Sequence, residues 1–143
     1  MLQNKKKPLK CGEIYWSKLK GYPWWPAMIS REEHGSNKFI RVRVRNITEY
    51  FVQFFGTRYE YAWVTENSMC KFKHTDTKQY METVKGSKKY KDILDQAIDE
   101  ANIYLNESEE EKGIYFYKKY KKDQQNKIAK SIHFFNLYAI IFS

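Results

Sequence analysis

Cysteine and histidine are scarce in this chain of 143 residues, and neither is clustered. The two cysteines, Cys11 and Cys70, lie far apart with no Cys-x-x-Cys pair, and the opening "MLQNKKKPLK" lacks the apolar stretch of a secretory signal. Both features point to a reducing compartment and argue against a disulfide framework. His34, His74 and His133 are scattered without ligand spacing, so no metal site is expected. There is no P-loop, no GxSxG, no HExxH and no Cys/His pair at telling spacing. Glu32, Glu33 and the acidic run "NESEEEKG" sit in loose, solvated contexts, whereas acid/base catalysis needs carboxylates held in different, defined environments. No catalytic residue or cofactor is assigned, and the chain alone is not expected to be an enzyme.

What is abundant is positive charge and aromatic side chains. Hydrophobic residues make up 42% and charged residues 30%, a balance that suits one soluble domain or a small domain with a tail. The aromatic share is 17%, with twelve Tyr, nine Phe and four Trp. Part of that excess is what a small domain needs to bury enough area, and the rest is available for a gripping surface. The net charge of +9 is uneven: residues 1–91 carry +11 and residues 92–143 carry −2. A basic front half points to a polyanion, either nucleic acid or an acidic membrane surface.

Residues 1–8 read as a flexible basic arm. "GEIYWSK" then alternates, with Ile14 and Trp16 facing one way and Glu13, Tyr15 and Ser17 the other, the period of a half-buried strand. "LKGYP" supplies a turn, and "WPAMIS" a second strand whose Pro26 is tolerable near its start or on an edge. In residues 31–49, "REEHGSNK" is loop-like, and "FIRVRVRN" alternates Ile40, Val42 and Val44 with Arg41, Arg43 and Arg45. Such a ribbon would present three arginines on one face. "EYFVQFFG" is the strongest strand, ended by Gly56; "TRY" turns it and "EYAWV" is its hairpin partner. Short strands joined by tight turns over about 11–72 suggest a small barrel.

Beyond Cys70 the period changes. Tyr90, Ile93, Leu94, Ala97, Ile98, Ala101, Tyr104 and Leu105 recur at helical spacing with Ser87 as N-cap, and the barrel is the available partner for that stripe. The helical part spans about 76–106. Residues 107–143 read as an acidic break, a basic aromatic stretch and the apolar end "SIHFFNLYAIIFS". That end is shorter than the ~20 residues a membrane helix needs, so no membrane partner is expected and no function is assigned to it.

"KLKGYPWWPAMIS" sets two tryptophans side by side between prolines. Neighbours on a strand point to opposite faces. Trp24 is therefore read as inward, fixing the barrel against the helix, and Trp25 as outward, near Tyr22 in the turn. "VQFFG" ends in two rings of opposite facing, Phe54 and Phe55. Tyr22, Trp25 and Phe54 converging at one end would wall a pocket for a weakly hydrated cation such as a methylated ammonium. The same rings read equally as core residues.

These segments carry a family resemblance. "GEIYWSKLK", "GYPWWPA" and "VQFFGTRYEYAWV" together resemble a PWWP domain over about residues 9–106, with the tetrapeptide Pro23-Trp24-Trp25-Pro26 intact. The resemblance implies a mainly β fold with C-terminal helices, a five-stranded SH3/Tudor-like barrel packed against a small helical bundle. It implies a nuclear chromatin reader that binds nucleosomes through methylated lysine 36 of histone H3 and through double-stranded DNA. By position, the methyllysine cage falls on Tyr22, Trp25 and Phe54, with Trp24 packed inside. A family-type DNA surface would use Lys18 and Lys20 of the first loop and Lys85, Lys88, Lys89 and Lys91 at the helix start. Arg41, Arg43 and Arg45 could extend it, and the module is expected to be a monomer.

One departure is Thr57, where several readers of this mark carry an acidic residue and others carry Thr. Within the family the segments look most like the N-terminal PWWP of NSD-type lysine-36 methyltransferases. The alternative is a non-specific DNA-binding barrel, as at the N-terminus of a MutS-type mismatch-repair protein. Neither catalytic domain fits in this chain, which reads as a reader module, a fragment or a short form. The sequence does not decide between dimethyl and trimethyl lysine.

Overall fold

In the computed structural model the described residues are 6–31, 38–56, 60–107 and 109–142. Six antiparallel strands form one curled sheet: β1 (Ile14–Ser17), β2 (Trp25–Ile29), β3 (Ile40–Arg43), β4 (Ile47–Phe54), β5 (Tyr61–Thr65) and β6 (Met69–Lys71). Three helices follow: α1 (Thr77–Met81), α2 (Lys88–Leu105) and α3 (Glu109–Phe142). The strands run in the order β3-β4-β2-β1-β6, with β5 on β4. The fold is thus mainly β with C-terminal helices, as expected, but with six strands rather than five.

Register shows where the extra strand goes. Along β4, Glu49 and Tyr50 pair with both β3 and β5, while Val52 and Gln53 pair with both β2 and β5. β2 and β3 therefore lie end to end on one edge of β4, and β5 takes the other. Phe51 bridges the junction: its carbonyl accepts from Ser30 N–H at 3.1 Å and its N–H donates to Phe39 O at 2.9 Å. A 3-10 turn, Glu66–Ser68, carries the chain from β5 into β6 beside β1. Among the described residues no ladder joins β5 to β6, so the sheet is barrel-like but not closed.

The core is aromatic. Trp16, Phe51, Phe55 and Phe72 are almost fully buried. Each such side chain contributes on the order of 1.5–3 kcal/mol relative to exposure. β1 is buried on both faces, not one. The physical reason is cover that strand alternation cannot report: Trp16 stacks on Tyr80 of α1 at 4.2 Å and meets Phe72 at 5.3 Å. On the other parity, the Tyr15 hydroxyl donates to Glu13, which also accepts from Lys71 Nζ at 2.8 Å and Lys10 N–H at 2.6 Å. Partial burial pushes the Glu13 carboxyl up, but these hydrogen bonds outweigh it and hold it below the usual carboxylate value.

β3 departs from the ribbon expected for it. Strand pairing stops at Arg43, and Val44–Asn46 form the turn into β4, with Arg45 and Asn46 at positive φ. Ile40, Val42 and Val44 remain exposed. Arg41 and Arg43 turn instead to buried Glu49, with Nε to Oε1 distances of 3.0 and 3.5 Å, and the Arg41 guanidinium lies 4.5 Å over the Trp63 ring.

α2 begins where its cap predicts, with Tyr90 N–H donating to Ser87 Oγ. Its buried stripe is Leu94, Ala97, Ile98 and Ala101. It docks on the turn after β4. Gly56 has φ +65 and an added Cβ would lie 2.9 Å from Ala97 Cα, so the helix backbone touches the glycine directly. Gly56 N–H donates to Glu100 Oε2 at 2.9 Å, and Phe55 stacks on Tyr104 at 6.2 Å. The acidic break shrinks to a short turn around Asn106 and Glu107, and the apolar end becomes the last part of the long α3. Its Ile132, Phe134, Phe135, Ile140 and Ile141 are exposed, and among the described residues no helix is long and apolar enough to cross a membrane.

Candidate functional site

The tetrapeptide sits where β1 turns into β2. Ser17 pairs with Trp25, and the seven residues between them make the loop. Gly21 takes φ +83, Tyr22 N–H donates to Leu19 O at 3.1 Å, and Lys18 Nζ donates to the carbonyls of Leu19 and Tyr22. One lysine thus ties the loop together from inside.

The two tryptophans divide, though not in the expected degrees of burial. Trp24 is half-buried and packs edge-on to Tyr80 at 5.5 Å, which does fix the barrel against the helical part. Trp25 is the deeper of the pair at 8% exposed, and its Nε1–H donates to Phe55 O at 2.8 Å. It is not an outward-facing side chain. Alternation fixes which face a residue takes, but the turn folded over that face decides its depth. The same carbonyl-to-indole bond, with Phe55 N–H donating to Pro26 O at 3.0 Å, staples the two loops together.

Phe54 lies opposite Ala27. Residues two apart on a strand share a face, so Phe54 and Trp25 lie on one face of the paired strands. Phe54 is 7% exposed and Tyr22 60% exposed. Thr57 lies outside the described residues.

Lys18 and Lys85, far apart in sequence, line one open cavity of about 630 Å³ between the β1–β2 loop and the junction of α1 with α2. Lys20, Lys88, Lys89 and Lys91 are exposed on the same two segments. The arginines are elsewhere. Arg43 pairs with Ile47, whereas continuing the β2–β4 register puts Trp25 across from Gly56. Those two positions lie at opposite ends of β4, the second in the turn beyond it. Arg41, Arg43 and Arg45 therefore lie toward the other end of β4 from the lysine-bearing loop. Missed by sequence reasoning was the cavity itself, with Trp24 and Tyr90 in its wall. Tyr90 fits the apolar helical stripe, so nothing in the spacing marks it as exposed.

Among the described residues no cluster of His, Cys, Asp and Glu could hold a metal, and Cys11 and Cys70 form no disulfide.

The PWWP domain family model matches residues 12–106. Histone-lysine N-methyltransferase NSD3 of Mus musculus is 33% identical over 101 residues, covering 71% of this chain and 6% of that protein. Histone-lysine N-methyltransferase, H3 lysine-36 specific, of Homo sapiens is 36% identical over 77 residues, covering 49% and 3%. DNA mismatch repair protein Msh6 of Homo sapiens is 28% identical over 68 residues, covering 48% and 5%. The chain spans less than a tenth of the length of each.

Proposed function

This chain belongs to the PWWP domain family, and from that premise we propose that it is a nuclear reader module that docks on nucleosomes. In this reading Tyr22, Trp25 and Phe54 cage the methylated side chain of lysine 36 of histone H3, and Lys18, Lys20, Lys85, Lys88, Lys89 and Lys91 grip adjacent DNA. Catalysis is left to other domains of a longer protein, in keeping with a non-catalytic binding fold.

The observation that carries the cage is the shared face of Trp25 and Phe54, with exposed Tyr22 in the loop three residues before Trp25. Trp25 and Phe54 supply a rigid floor and Tyr22 a ring free to close over a ligand. Each ring contributes about 0.5–2 kcal/mol to a desolvated quaternary or tertiary ammonium. The choice of lysine 36 follows the similarity to the H3 lysine-36 specific methyltransferase.

The lysines neutralise phosphates without reading sequence. If all six meet phosphates, log K falls with log salt at a slope of about −5. Two weak grips on one nucleosome combine through effective concentration, so a free methylated peptide binds far more weakly than a methylated nucleosome.

The test is a titration of nucleosomes that differ only at lysine 36, at two salt concentrations. Tyr22→Ala is the informative variant because its side chain is exposed and its loss leaves the core intact. It should erase the preference for methylated nucleosomes. A parent protein indifferent to methylation, with losses only from the lysine variants, would refute the cage and leave a DNA-binding barrel of the kind a mismatch-repair protein could use.

A further inference from the structure

The cavity between the β1–β2 loop and the α1–α2 junction shares Tyr22 with the proposed cage but not Trp25 or Phe54, which do not line it. Its aromatic walls are Tyr22, Trp24 and Tyr90, and its polar lining includes Lys18, Lys85 and Ser87. Tyr22 and Tyr90 are 60% and 42% exposed, so both side chains are accessible to a ligand. At about 630 Å³ it falls within the ~300–1,000 Å³ of small-ligand sites.

Its charge selects the ligand. Among the described residues no carboxylate lines it and two ammonium groups do, which disfavours a cation of the kind a methyllysine cage takes. Lys18 is held in place by the carbonyls of Leu19 and Tyr22, while Lys85 makes only a loose exposed pair with Glu82 at 3.6 Å and can turn to a new partner. Aromatic rings beside positive charge suit a flat, unsaturated ring attached to an anion.

We propose that this cavity takes one nucleotide of a single-stranded nucleic acid, its base stacked on the Tyr22, Trp24 and Tyr90 wall and its phosphates at Lys18 and Lys85. Exposed Lys20, Lys88, Lys89 and Lys91 continue the strand's path. A paired duplex keeps its base faces stacked on one another and can use only the lysines, so the cavity adds base stacking for a single strand to the phosphate contacts that Lys18 and Lys85 also offer a duplex. This inference does not rest on the methyllysine reading.

Tyr90 separates the two, since it belongs to the cavity and not to the cage. Fluorescence anisotropy of the full chain with labelled oligothymidylate, oligouridylate and duplex DNA, each on the order of ten nucleotides long, makes the comparison. Tyr90→Ala should weaken both single strands by about five- to 150-fold, the range for loss of one stacking ring. Duplex affinity should stay within two-fold. Tyr90→Phe should restore the single strands, and an unchanged melting curve for Tyr90→Ala excludes misfolding. DNA and RNA strands should respond alike, because stacking and phosphate contacts do not read the sugar. Equal losses on duplex and single strands, or no loss on either, would overturn the proposal.

Discussion

Replacing Gly56 by alanine tests whether the helical part is held on the barrel by direct contact of α2 with the turn after β4. Two penalties follow from the geometry. Gly56 has φ +65, and an L-residue in that left-handed region costs about 1–2 kcal/mol. The new methyl would also stand 2.9 Å from Ala97 Cα and Cβ and 3.0 Å from Ala97 N. Those atoms belong to a helix, so relief requires α2 to move as a body, an overpacking cost of roughly 1–3 kcal/mol.

Gly21 is the internal control. Its φ is +83, but an added Cβ meets nothing within 4 Å, so Gly21→Ala bears the conformational cost alone. Both changes stiffen the unfolded chain to the same extent, and that contribution cancels in the comparison. Urea unfolding followed by tryptophan fluorescence should show Gly56→Ala losing about 1–3 kcal/mol more than Gly21→Ala. For a domain of this size the excess corresponds to a melting temperature lower by roughly 5–20 °C. If the two variants lost equal stability, the close packing of α2 on the turn would be wrong.

Three further outcomes are expected. Trp25→Phe removes the donor to Phe55 O but keeps a ring, so unfolding in urea should show a loss of about 1–3 kcal/mol while methylated nucleosomes remain preferred. Burial first, and then its hydrogen bond with Cys70, push the Tyr80 phenol up to about 12. Because the unfolded value is about 10, the stability Tyr80 contributes is complete below pH 10 and is lost as pH rises toward 12; Tyr80→Phe should flatten that limb of a stability-against-pH curve. Glu49→Ala leaves Arg41 and Arg43 without their shared acceptor, but both guanidinium groups reach water, so the cost should be about 1 kcal/mol, with faster proteolytic cleavage at the β3–β4 turn as the local readout.

Most strands and α2 were legible because their signals are local. Alternation and a terminal glycine mark β4, and Ser87 followed by apolar residues at helical spacing marks α2. Depth of burial is a property of what lies on top. β1 alternates like a half-buried strand, yet Phe72 and Tyr80, more than fifty residues away, cover its second face. The ribbon Ile40 to Arg45 fails in the opposite sense. Its apolar side chains alternate correctly but stay exposed, because β3 is an addition beyond the end of β2 rather than a wall of the core.

The same distinction governs the tetrapeptide. Trp24 lies in the loop just before the strand, whereas strand parity aligns Trp25 with Phe54, and that much is written in a period of two. It cannot say that Trp25 is capped by the loop it bonds to, or that Trp24 lines a cavity whose other side arrives from α2 some sixty residues later. Tyr22 is the exposed ring at this junction. It lies toward the proposed cage through its neighbours in the loop and toward the lysine-lined cavity through its own position in the wall. Those two sites have opposite electrostatic requirements, one for a cation and one for an anion. A change at Tyr22 should therefore weaken both activities together, whereas Tyr90 should affect only the anionic one. The contrast between the two tyrosines decides whether this end of the fold contains one binding site or two.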